Sequence, residues 1–104
     1  MIELLKNLFG LGPKVDFAEL KKNGAVIIDV RTKGEYSGGH IKGSINIPVD
    51  QLNQHTNRFP DKNKAIITCC ASGMRSGSAK SMLKSKGYTH VINGGSWMSL
   101  QHKL

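Results

Sequence analysis

The stretch Ala65-Ile66-Ile67-Thr68-Cys69-Cys70-Ala71-Ser72-Gly73-Met74-Arg75-Ser76 decides how this chain is read. Its opening residues, Ala65 to Cys69, are apolar and rich in β-branched side chains, which predicts a short buried strand. Further on, Ala79, Met82 and Leu83 recur at helical spacing, and Lys84, Lys86 and Gly87 form a C-terminal stop. A helix is therefore expected over Ser76–Lys86. Between strand and helix lies a run of small residues headed by cysteine. Such a junction turns backbone N–H groups inward with a helix N-terminus behind them, which holds anions and depresses a thiol pKa. The expectation is a reactive thiol in an anion cradle.

Outward from this junction, extended and helical pieces alternate. Asp16-Phe17-Ala18-Glu19 has the capping-box spacing and opens a short helix that should stop at Gly24. Ala25–Val30 (AVIIDV) is a continuous apolar run, as expected of a parallel strand covered on both faces. Thr32-Lys33-Gly34-Glu35 repeats the capping-box spacing and predicts a helical turn, broken by Gly38-Gly39. Ser44–Pro48 reads as extended, Val49–Phe59 as a helix burying Val49, Leu52 and Phe59, and Pro60–Lys64 as a charged turn. A short strand at His90–Asn93, then Gly94-Gly95 and a terminal helix, complete the chain. The alternation predicts the α/β class, with a mainly parallel sheet between helices. In such sheets ligands bind beyond the carboxyl ends of the strands, where Cys70 would sit.

Composition narrows the function classes. At 104 residues the chain fits one domain with one core. Fifteen Lys and Arg against seven Asp and Glu give a net charge of +8, which favours small anionic ligands. The lysines are dispersed (Lys21, Lys22, Lys62, Lys64, Lys84, Lys86), without an aromatic-basic platform or zinc-finger spacing, so no nucleic-acid partner is expected. The two cysteines are adjacent, and on a strand they point to opposite faces, so a mutual disulfide would need a strained turn. Free thiols suit a reducing compartment, and a cytoplasmic location is expected. Without a clustered histidine set no metal site is expected. Residues 1–12 place Ile2, Leu4, Leu5, Leu8, Phe9 and Leu11 among Glu3 and Lys6. This N-terminal amphipathic segment is too short and interrupted to span a bilayer and lacks the features of a signal peptide. It is expected to cover the domain, with no stable membrane insertion.

Three segments, in order, carry a family resemblance. The first is Asp29-Val30-Arg31-Thr32-Lys33-Gly34-Glu35-Tyr36-Ser37-Gly38-Gly39-His40-Ile41-Lys42-Gly43-Ser44-Ile45-Asn46-Ile47-Pro48. The second is the Cys70–Ser76 loop, and the third is Gly94-Gly95 after a short strand. With them the chain resembles the single-domain rhodanese sulfurtransferases, whose patterns DVR–E(Y/F)–GHI–GA–NIP and CxxGxRS they follow. Ser44 stands where alanine is usual. The family's usual tryptophan falls at Ser99 here, and Trp97 lies two residues before it. The resemblance implies a rhodanese-like domain over 13–104, of three layers, with a central, mainly parallel five-stranded sheet flanked by helices.

It also implies a reaction. Counted from Cys69 the spacing to Arg75 is the C-x5-R of cysteine-dependent phosphatases; counted from Cys70 it is the shorter C-x4-R of rhodaneses. Thr68, not histidine, precedes Cys69, and Cys69 fits the last strand position as a small buried hydrophobe. Cys70 is therefore the expected nucleophile. It would take a sulfane sulfur from thiosulfate or another persulfide donor as a cysteine persulfide, and pass it to cyanide or a thiol. A sulfur-relay protein could stand among the partners, and no metal or organic cofactor is implied. N–H groups from Ala71, Ser72, Gly73, Met74 and Arg75 would hold the charged sulfur. The Ser72 hydroxyl either donates to the substrate or serves the turn, and Met74 sets the polarity of the mouth. Arg75 either meets the donor's sulfonate or braces the loop through a carboxylate such as Asp29. Ser76 is expected to cap the following helix. Asp29 and Arg31 are expected to support the loop as an ion pair, and His40 belongs to a structural turn. The alternatives are a persulfide carrier with little free turnover and, on the longer count, an arsenate reductase or phosphatase-like activity.

Overall fold

The computed structural model describes residues 15–104, so the expectation for the N-terminal segment lies outside the described residues. Four strands, β1 (Val26–Asp29), β2 (Ile45–Asn46), β3 (Ile66–Cys70) and β4 (Val91–Ser96), form one parallel sheet in the order β2-β1-β3-β4. Around them lie α1 (Phe17–Lys22), α2 (Lys33–Ser37), α3 (Val49–Leu52), α4 (Met74–Ser85) and α5 (Trp97–Gln101). The five-stranded sheet implied by the resemblance is thus corrected to four among the described residues. These residues contain four extended apolar runs, and each is used once.

The strands are parallel because a helical crossover separates each from the next, and their central residues are apolar on both faces. Ile28, Val30, Ile66 and Cys70 pack with Leu52, Ala79, Leu83 and Tyr88 on the α3/α4 side. Ile27, Ile67 and Cys69 pack with Phe17 and Leu100 on the α1/α5 side. The adjacent cysteines therefore lie in different cores, as strand alternation requires.

Several boundaries move. The helix expected over Val49–Phe59 stops at Leu52, and a 3₁₀ turn, Thr56–Arg58, follows. Asn53, His55 and Thr56 are poor helix formers, and the backbone tightens to three-residue hydrogen bonds (Gln54 N to Gln51 O, His55 N to Leu52 O). Cys70 ends β3 rather than starting the loop, because the strand begins one residue later than read and pairs through Cys70 with Ser96. β4 runs on through Gly94-Gly95 to Ser96: Thr68 pairs with Asn93 and Cys70 with Ser96, so β4 bulges by one residue beside the loop. Gly94 makes that approach possible. A Cβ there would lie 2.8 Å from Leu100 Cδ2 and 2.9 Å from both Ile67 Cγ2 and the Thr68 carbonyl oxygen.

Both helices read from capping boxes form. Asp16 Oδ1 accepts from the Glu19 N–H at 3.0 Å. At α2 the box is reciprocal, with Thr32 Oγ1 accepting from Glu35 N and Glu35 Oε1 accepting from Thr32 N.

Candidate active site

The end of β3 and the start of α4 build a sulfur-centred ring of donors. Cys70 Sγ accepts from the Gly73 N–H at 3.0 Å and the Ser76 N–H at 3.4 Å, and Ser76 Oγ lies 3.4 Å away. Gly73 is the N-cap of α4 with φ +105°, a left-handed conformation that a side chain would strain. Having no side chain, Gly73 cannot accept from the first helical turn. The Ser76 N–H, three residues on, is therefore left for the cysteine sulfur, which takes the place of a capping oxygen. Ser76 does not cap the helix, as its position in the sequence suggests; it is buried inside the first turn.

These donors set the thiol's acidity. Burial opposes ionisation of Cys70, but the Ser76 hydroxyl and the N–H groups of Ser76, Gly73 and Ser72 outweigh it. The Cys70 thiol is held below the usual cysteine value. One residue earlier the balance reverses. Burial, then the negative charge of Asp29, push the Cys69 thiol up to about 12.

Behind the sulfur stands Asn93, which the sequence reading passed over. Its Oδ1 accepts from Ser76 Oγ at 2.7 Å and from the Gly95 N–H at 2.9 Å, while its Nδ2 donates to the Gly73 carbonyl at 3.1 Å. One amide thus fixes the serine, the left-handed glycine and the β4 bulge. Its only signal in the sequence is a polar residue ending an apolar strand before Gly94-Gly95.

Arg75 braces the loop through Glu35, not Asp29. Its Nη1 and Nη2 meet Glu35 Oε1 and Oε2 at 2.7 and 3.0 Å. Asp29 is already taken: it is fully buried and accepts from Arg31 Nη2 at 2.7 Å and from Arg31 Nε at 3.0 Å. Arg31 further donates to the Glu35 and Gly39 carbonyls and lies 4.7 Å from the Trp97 ring centroid. Trp97 packs against Gly39. His40 stacks on Tyr36 and its Nδ1 donates to the Tyr36 carbonyl at 2.8 Å. Ala71, Ser72 and Met74 form the exposed rim, Met74 being 81% exposed, whereas Cys70 is covered. Access to the sulfur therefore runs through the loop.

The sequence model of the Rhodanese-like domain matches residues 15–100. The chain belongs to the rhodanese family. It is 42% identical over 69 residues to the thiosulfate sulfurtransferase PspE of Escherichia coli, covering 65% of this chain and 66% of that protein. It is 41% identical over 69 residues to the uncharacterized protein YqhL of Bacillus subtilis, covering 66% of this chain and 54% of that one. The alignments thus span just under two-thirds and about half of these relatives. A rhodanese from E. coli solved with anions superposes with a TM-score of 0.70 at 38% identity, covering 73% of this chain and 91% of that one. Among the rhodanese motif positions, Cys70, Gly73, Arg75 and Ser76 converge on one end of the sheet, with Asp29 and Arg31 beside them.

Proposed function

We propose that this protein is a sulfurtransferase that moves a sulfane sulfur through a persulfide on Cys70. The observation that carries the reading is the sulfur ring itself: a thiol of lowered pKa, ringed by the Gly73 and Ser76 N–H groups at a helix N-terminus. The similarity to a thiosulfate sulfurtransferase supports the same chemistry.

In the first half-reaction the Cys70 thiolate attacks the outer sulfur of thiosulfate. The new S–S bond forms as the old one breaks, and sulfite leaves with the bonding pair. The persulfide's terminal sulfur bears the negative charge, and the N–H groups of Ala71 to Arg75 stabilise it. In the second, cyanide or a thiol attacks that terminal sulfur and the Cys70 thiolate is released. Cyanide leaves as thiocyanate; a thiol leaves as a persulfide. Arg75 and Glu35 hold the loop, and Arg31 with Asp29 anchors the turn beneath it. Cys69 takes no part, since a thiol titrating near 12 carries almost no thiolate at neutral pH. A cytoplasmic setting would keep both thiols reduced, and a sulfur-relay protein is a natural acceptor.

Thiocyanate release from thiosulfate and cyanide tests the reading, measured beside the single-turnover sulfur adduct. Steady turnover with an adduct on Cys70 supports the enzyme. An adduct with little turnover moves the protein to a persulfide carrier, and phosphate-ester hydrolysis without any adduct contradicts sulfur transfer.

A further inference from the structure

The Ser76 hydroxyl has one proton and two neighbours that compete for it, Asn93 Oδ1 at 2.7 Å and Cys70 Sγ at 3.4 Å. The Asn93 amide cannot turn over to change this contest. Its Oδ1 accepts from the Gly95 N–H at 2.9 Å and its Nδ2 donates to the Gly73 carbonyl at 3.1 Å. Two backbone partners thus fix which end of the amide faces Ser76. An oxygen can only accept, so the serine proton lies on the Asn93 side. Ser76 Oγ then turns a lone pair toward the sulfur, which suits a thiol S–H and repels a thiolate. A thiolate gains the hydroxyl as a donor only when the proton swings away from Asn93. The swing does not orphan Asn93, because the Gly95 N–H stays on the same oxygen.

We propose that Asn93 is a positioning residue acting through Ser76: it holds the hydroxyl proton while Cys70 Sγ is uncharged and yields it to the sulfur when Cys70 becomes a thiolate. The thiol's own proton leaves to solvent, and the hydroxyl turns about its C–O bond without giving up its proton. The part this plays in turnover rests on the sulfur-transfer reading. In a persulfide the charge moves to the terminal sulfur, so Sγ is uncharged again and the hydroxyl returns to Asn93. The amide thereby favours the sulfur-loaded form over the free thiolate and restrains the acidity that the ring confers. The charged and titratable groups around Cys70 keep their partners in this exchange. Arg75 of α4 is paired with Glu35 of α2, and Arg31 with Asp29 at the end of β1. Cys69 lies on the other face of β3, and the Tyr88 hydroxyl is tied to the Thr56 and Phe59 carbonyls. β4, which carries Asn93, has no ionisable side chain.

Alkylation of Cys70 by iodoacetamide, followed by intact mass as a function of pH, reads thiolate formation without any sulfur donor. Cys69→Ala is the background, since it leaves Cys70 as the one thiol. Asn93→Ala frees the hydroxyl for the thiolate. The rising limb of the alkylation rate is expected to move to lower pH by about half a pH unit to one pH unit, the worth of one neutral hydrogen bond. With Ser76→Ala added to the background, the same substitution has no hydroxyl to free and is expected to move the limb no lower. A role confined to pinning the loop predicts the opposite sign, because Gly73 would drift from the sulfur and ionisation would become harder. An upward shift, no shift, or an equal downward shift in both backgrounds would overturn the proposal. Asn93→Asp serves where the alanine variant fails to fold, because a carboxylate keeps acceptors for Ser76 and Gly95. Its limb is expected to rise further with Ser76 present than in Ser76→Ala, and equal rises contradict the exchange. The sulfur adduct from thiosulfate is measured separately on the parent. Its absence contradicts sulfur transfer, and the alkylation profiles decide the role of Asn93 either way.

Discussion

At the scale of the residue, the central contrast is between two neighbouring thiols given opposite tasks by one residue of strand phase. Cys70 faces the helix N-terminus and is held as a better thiolate; Cys69 faces an apolar core and Asp29 and is held as a thiol. Alternation along β3 makes this separation legible in the sequence, because adjacent strand residues must part. The part that is not legible is which polar groups meet the sulfur. Ser76 looks like a cap by position, and only the handedness of Gly73 and the reach of Asn93 turn it inward. Ser76→Ala removes the hydroxyl 3.4 Å from the sulfur and leaves only backbone N–H groups to oppose burial there, so the Cys70 pKa rises. The rising limb of the rate of persulfide formation against pH should move to higher pH. At neutral pH the rate should fall about five- to tenfold, the worth of one such hydrogen bond. Rates measured across pH 5 to 10 check this, and an unmoved profile counts against the role given to Ser76.

At the scale of the element, the site depends on how β4 and α4 close over the end of β3. Gly94 lies within 2.9 Å, at Cβ, of Ile67, Leu100 and the β3 backbone, so Gly94→Ala forces the strand or α5 away. A loss of about 2 kcal/mol in urea denaturation is expected, in the range of overpacked cores. The bulge at Gly94-Gly95 is also why β4 runs beyond its expected end. A glycine pair reads as a break in a sequence, and here it carries the ladder past a close contact. The α2 capping box was readable from Thr32 and Glu35, yet its second use was not. Glu35 caps α2 with one oxygen and pairs with Arg75 across forty residues of sequence with both. Sequence spacing shows local partners such as Thr32 and is silent on distant ones, which explains why Asp29 looked like the brace.

At the scale of the whole molecule, the sheet order puts the carboxyl ends of the two central strands, β1 and β3, side by side, bringing Asp29, Arg31 and Cys70 to one end of the sheet. The same packing links stability to pH through Cys69. Its ordinary value near 9 is raised to about 12 by folding, so between those values the unfolded chain loses a proton that the folded chain keeps. Folding stability should fall as pH rises through this window. Cys69→Ala should flatten that alkaline decline in Tm while lowering Tm slightly at neutral pH; an unchanged slope would remove Cys69 from the account. The claim on which the rest depends is that sulfur passes through Cys70 alone. Intact-mass measurement after thiosulfate, and again after cyanide, tests it most directly on the parent, Cys70→Ser and Cys69→Ser. The parent and Cys69→Ser should each gain one sulfur that cyanide removes, and Cys70→Ser should gain none. A cyanide-labile sulfur on Cys70→Ser would contradict the account.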